Sequence, residues 1–127
     1  MARKFKQFFS VEAFDKLVRE AIAELPQPYD RLIEEVSVVV EDEPPEEVLR
    51  DLDLRNRDEL LGLYQGLSLA DQSFFQPGGH QPPRISIYRG PIMRQCSTVK
   101  EVIQEVRDTV VHELGHHVGL GDDEMPY

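Results

Sequence analysis

From Val11 onward, apolar residues return every third or fourth position: Phe14, Leu17, Val18, Ala21, Ile22 and Leu25. That period predicts an amphipathic helix over Val11 to Leu25, packed by its apolar stripe on a sheet. Ser10 can cap it through its hydroxyl, although Ala13 at the N3 position leaves the capping box incomplete, and Pro26 stops it. The pattern then changes. Val36-Ser-Val-Val-Val40 is β-branched and bounded by polar residues, which predicts a strand in the middle of a sheet. Val48 to Leu54 follows Pro45 as a turn or two of helix, with Glu46 and Glu47 at its positive end. Leu60 to Gly66 reads as a second strand, and Ser68 to His80, with Pro77-Gly-Gly79 inside it, as a long loop. Ile85-Ser-Ile-Tyr-Arg89 alternates apolar and polar, the mark of a half-exposed strand, and the proline in Gly90-Pro91 at its end suits a sheet edge. Val99, Val102, Ile103, Val106 and Val110 form the stripe of a last, long helix. Thr98 opens it, and Glu101 three residues later completes a capping box.

That last helix runs into the chemistry. His112 and His116 are four residues apart, which on a helix places them on one face, about 6 Å apart along the axis. Two imidazoles so placed can converge on one ion at about 2.0–2.1 Å each, as zinc requires. Between them, Glu113 stands where a carboxylate can serve as general base. Gly119 can take positive φ and end the helix in a left-handed cap, so that the chain doubles back and offers Asp122 as a third ligand. Asp123 and Glu124 compete for that place. Two histidines and one carboxylate leave a coordination position for water, which distinguishes a catalytic site from a structural one. His117 lies in line with Val106 and Val110 and reads as a packed, hydrogen-bonded histidine. Glu105 and Thr109 lie upstream of His112, either as hydrogen-bond partners of its ring or, as we read them, as surface residues.

Length and charge narrow the function classes. A chain of 127 residues reads as one domain, residues 1–127. Apolar residues make up 40% and charged residues 30% of it, an ordinary globular balance. The net charge of −10, from 24 acidic and 14 basic residues, argues against a nucleic-acid partner. The acidic run Glu41-Asp-Glu-Pro-Pro-Glu-Glu47 reads as a solvated turn. The single cysteine, Cys96, excludes an internal disulfide. No apolar run reaches the length of a membrane span, and the basic-aromatic start, Arg3 to Phe9, has no apolar h-region. That start reads as a segment whose Phe5, Phe8 and Phe9 cover the core, and a cytoplasmic location follows by default.

The stretch from His112 to Asp122 resembles the zincin metallopeptidases that carry a His-Glu-x-x-His-x-x-Gly-x-x-Asp signature. More narrowly, the chain resembles short bacterial zincin-like proteins with a minimal metalloprotease fold. The likeness extends to Leu60-Leu-Gly-Leu-Tyr-Gln-Gly66 and to Arg84-Ile-Ser-Ile-Tyr-Arg-Gly-Pro-Ile92. It implies an α+β fold with a mixed sheet of about three to four strands, packed on an N-terminal helix and a C-terminal active-site helix. It also implies a zinc-dependent hydrolase acting on peptides or unfolded polypeptides. In zincins an edge strand beside the active-site helix receives the substrate as an added strand, a role that falls by resemblance to Ile85–Arg89.

Two matters stay open in the sequence, the oxyanion donor and the function itself. Peptide hydrolysis needs a donor for the oxyanion, and Tyr127, Tyr88 and His80 are all candidates. Met125-Pro126 lies too close to Asp122 to match the methionine turn of metzincins. The alternative function is a metal-binding or interaction module that keeps the scaffold with little or no turnover; a metal-dependent nuclease fits poorly with the acidic charge.

Overall fold

A computed structural model of the chain describes residues 10–66 and 82–120. Helix α1, Val11–Ala23, starts where the Ser10 hydroxyl accepts the Ala13 N–H at 3.1 Å and buries Phe14, Leu17, Val18 and Ala21. A short helix α2, Tyr29–Leu32, and a 3-10 turn, Ile33–Glu35, lead into strand β1, Ser37–Glu41. Helix α3, Glu46–Asp51, and a second 3-10 turn, Arg57–Glu59, lead into strand β2, Gly62–Gln65. Asn56 and Glu59 cap that turn reciprocally, each side chain taking a backbone N–H of the other end. Strand β3, Arg84–Tyr88, passes directly into helix α4, Arg89–Gln95, and helix α5, Val99–Val118, follows. Thr98 accepts the Glu101 N–H, while the Glu101 carboxylate reaches back to the N–H of Ser97, one residue outside the expected partner.

The sheet is mixed, in the order β1-β3-β2, with β1 parallel and β2 antiparallel to β3. This reverses two expectations. The strand read as an edge, β3, is the middle one, and the valine-rich β1 is an edge among the described residues. The alternation of Ile85, Ser86, Ile87 and Tyr88 suggested one wet face, yet all four are buried. Serine is small and tyrosine carries a long apolar body, so both can be covered when a strand has neighbours on each side. The valines of β1 are, by contrast, half-buried. Gly90-Pro91, read as a stop, opens α4. Proline suits the first turn of a helix, where its missing N–H is not needed.

Register places Val38, Val40, Gly62 and Tyr64 on the same sheet face as Ile85 and Ile87. Helix α5 crosses that face, against β2 and β3, and α1 packs on α5 more than on the sheet. The core gathers Phe14 and Val18 from α1, Ile85 and Ile87 from β3, Ile92 from α4, and Val102 to Leu114 of α5. The acidic run is not simply solvated. Asp42 pairs with Arg89 at 3.1 Å, and Glu43 takes two hydrogen bonds from Arg94, at 2.7 and 2.8 Å. Gly90 makes this approach possible, since a Cβ there would run into the Glu43 carboxylate and lie 2.8 Å from the Asp42 carbonyl. The architecture is a small α+β fold. No helix among the described residues is long and apolar enough to cross a membrane.

Candidate metal centre

Helix α5 carries the centre on its last two turns. The ligand atoms of His112, Glu113 and His116 all lie within 4.8 Å of one another. The two imidazoles stand edge to face, their centroids 5.1 Å apart at 79°. The helix then ends as the glycine predicted. Gly119 adopts φ 101°, its N–H bonds to the His116 carbonyl, and the Leu120 N–H bonds to the Gly115 carbonyl. This is the paired capping pattern of a Schellman motif.

The cap also sets a ring. Turning at Gly119 brings the Leu120 carbonyl to 3.1 Å from Nδ1 of His116. A carbonyl can only accept, so Nδ1 carries a proton, and in the neutral ring the lone pair then sits on Nε2, the form a metal needs. Glu113 is 8% exposed, and its Oε1 accepts the backbone N–H of Tyr64 at 2.8 Å. His117 is 1% exposed and lies between two partners, the Tyr64 hydroxyl at 2.8 Å from Nδ1 and Glu35 Oε1 at 2.9 Å from Nε2. The packed, hydrogen-bonded role read for it is the one the structure gives it. Burial raises the pKa of Tyr64, which keeps its hydroxyl a donor.

Two open grooves meet at His112 and Glu113. One, of about 330 Å³, runs upstream between Gly62 and the Glu105, Asp108 and Thr109 side of α5. The other, of about 450 Å³, runs downstream past Tyr64 and His116, with Leu52, Leu60 and Leu63 along it. Gly62 borders both grooves. Thr109 is a correction to the surface reading: it is 8% exposed, and a Cβ on Gly62 would come within 2.6 Å of its methyl. Burial, and secondarily the charge of Asp108, raises the pKa of Glu105, which is half-buried on the groove wall.

The structure thus brings together His112, Glu113 and His116. Asp122, with its rivals Asp123 and Glu124, lies outside the described residues, as do Tyr127, His80, Met125-Pro126, and the expected Ser68–His80 loop beyond Gly66. Phe5, Phe8 and Phe9 lie outside them too. Of the oxyanion candidates, Tyr88 is buried in the middle strand at 1% exposure. Sequence reasoning missed Tyr64 and Glu35. Their partners lie 49, 53 and 82 positions away, beyond any local pattern. The one available signal was the two-residue period of β2, which sets Tyr64 on the same face as Gly62.

Two imidazoles and a carboxylate converging at the end of a helix are donors that suit zinc. The comparisons agree with the site. A family model described as a zincin-like metallopeptidase matches residues 33–127, about three-quarters of the chain, spanning both β2 and the whole of α5. No curated protein matches it. From the extent of that match, and from the histidine and glutamate cluster inside it, the chain belongs to the zincin-like metallopeptidase family.

Proposed function

We propose that the protein is a zinc-dependent peptidase in which His112, His116 and Asp122 hold the ion and Glu113 is the general base. The observation that carries this reading is the convergence of the His112, Glu113 and His116 ligand atoms within 4.8 Å, where two grooves meet. The chemistry a zinc ion supplies at such a site is Lewis-acid activation of a water and of the scissile carbonyl. Glu113 takes the proton of the attacking water and returns it to the leaving amine. The Tyr64 amide fixes one carboxylate oxygen, so that this transfer starts from a set orientation. His116 enters the ligand set through Nε2, because Leu120 engages the other nitrogen.

The substrate is a peptide or unfolded polypeptide, laid along β2. In the ladder with β3, Leu61 accepts from the Tyr88 N–H, so by alternation the N–H and carbonyl of Gly62 and the carbonyl of Tyr64 face away from β3, while the outward Tyr64 N–H is taken by Glu113. That outer edge borders both grooves and can take an extended chain. The role given by resemblance to Ile85–Arg89 therefore moves to β2, since both sides of β3 are already paired.

The test is hydrolysis of casein or a peptide library with added zinc, beside a chelated sample and Glu113→Gln. Cleavage by the wild type, reduced about 10²–10⁴-fold in the variant and abolished by chelation, is the expected result. Full turnover by Glu113→Gln would refute the assignment. Zinc uptake with no cleavage would favour a binding module instead.

A further inference from the structure

Tyr64 touches the end of α5 twice. Its backbone N–H donates to Oε1 of Glu113 at 2.8 Å, and its hydroxyl lies 2.8 Å from Nδ1 of His117. Glu113 and His117 are four residues apart, one above the other on the helix, so a single residue of β2 grips one stripe of α5 across a full turn. The far end of the grip is also secured. A carboxylate accepts, so Nε2–H of His117 donates to Glu35 at 2.9 Å, and in the neutral ring Nδ1 then accepts from the phenol. His117 is 1% exposed, and both of its ring nitrogens have partners, as a buried imidazole requires. Gly66, at φ 131°, carries the chain past the hydroxyl where a Cβ would stand 3.3 Å from it.

We propose that Tyr64 is a positioning residue. Through the Tyr64–His117–Glu35 chain its phenol locks the end of β2 onto α5, and this lock holds its own amide on the Glu113 carboxylate. The proposal rests on the reading of Glu113 as general base. It extends that reading to a residue that acts through Glu113 and to an acceptor, Glu35, contributed by the turn before β1. The pairing of β2 with β3 uses the other side of its backbone, so the ladder itself does not hold the outward N–H of Tyr64 on the Glu113 carboxylate.

The experiment has a structural arm and a kinetic arm. In metal-free protein, the amide of residue 64 should exchange with solvent about tenfold faster in Tyr64→Phe than in the wild type, while the middle-strand amides of Ile85 and Ile87 keep their rates. Glu35→Ala guards against misfolding, since the Glu35 side chain is 49% exposed. It should shift the same amide in the same direction by about two- to threefold. With zinc and casein, Tyr64→Phe should lower kcat about tenfold with KM and zinc affinity within about twofold, and should cost nothing further in a Glu113→Gln background. Unchanged exchange at residue 64 in both variants, or an unchanged kcat despite faster exchange, overturns the proposal. If the wild type cleaves nothing, the peptidase reading fails on its own, and the exchange rates of the metal-free protein still decide whether the lock exists.

Discussion

At the scale of the residue, the proposed reading gives binding to His112 and His116 and chemistry to Glu113, and substitution can separate the two. A ligand that binds the folded chain and not the unfolded one raises its stability by about 2.7 kcal/mol at a hundredfold excess over Kd. Zinc should therefore raise the Tm of the wild type. His116→Ala should abolish that rise, because it removes the ring whose tautomer the Leu120 carbonyl sets. Glu113→Gln should keep it, since an amide oxygen can still accept the Tyr64 N–H. Differential scanning fluorimetry with and without zinc checks both, and a lost shift in Glu113→Gln would make that side chain a ligand. Titration on the groove wall gives a second prediction. The folded-state pKa of Glu105 is raised by burial, so its ionisation opposes folding: the stability of the neutral form is fully present below the unfolded value and declines as pH rises through the folded one. Glu105→Gln should raise Tm at pH 7 relative to the wild type, with the gap closing below about pH 4. An equal gap at both pH values would mean that packing, not charge, separates the two proteins.

At the scale of the element, Gly62 shows how close β2 and α5 come. A Cβ there would stand 2.6 Å from the Thr109 methyl and 2.9 Å from the Ser86 carbonyl. Gly62→Ala should destabilise the fold by about 1–3 kcal/mol in urea unfolding, the usual cost of overpacking. Adding Thr109→Ser, which removes the methyl, should recover part of it; no recovery would put the whole strain on the strand backbone. The two long helices, α1 and α5, were legible because their signals are local, whereas α2 and α4 went unread. Phe14 to Ala21 and Val102 to Val110 repeat at helical spacing, Ser10 and Thr98 cap, and Gly119 ends α5. The sheet order was not legible, because strand position depends on partners brought in from elsewhere in the chain. Ser86 looks like a wet-face residue until β1 and β2 flank it, and the valines of β1 look central until nothing described pairs beyond them. The site divides in the same way. The histidine pair and Glu113 lie within one helical turn and could be read directly, whereas Tyr64 and Glu35 are placed by the fold.

At the scale of the molecule, the wall of the cleft is held by charge as well as by the core. Arg94 of α4 binds Glu43, in the turn after β1, and Asp58, in the 3-10 turn before β2, so one guanidinium ties three segments, and Leu60, which follows that 3-10 turn, lines the downstream groove. Planar, bidentate pairing of this kind is what arginine does better than lysine. The partners are each more than a third exposed, or nearly so, and solvent screening keeps the contribution small, about 1 kcal/mol for the network. Its pH dependence has a fixed sign. Hydrogen bonding from Arg94, first among its causes, holds the Glu43 carboxyl below its usual pKa. A depressed carboxylate contributes stability that is present above the unfolded value and is lost as pH falls through the folded one. Arg94→Gln should thus be less stable than the wild type by about 1 kcal/mol at pH 7, and the difference should shrink below about pH 4 as Glu43 takes up its proton. Relief of self-repulsion acts on a wild type of charge −10 and a variant one unit more negative, so most of it drops out of the comparison. Urea unfolding of the pair at pH 7 and near pH 3.5 measures the difference directly. A gap that persisted at the lower pH would show that Arg94 acts through the packing of its aliphatic stem and not through Glu43.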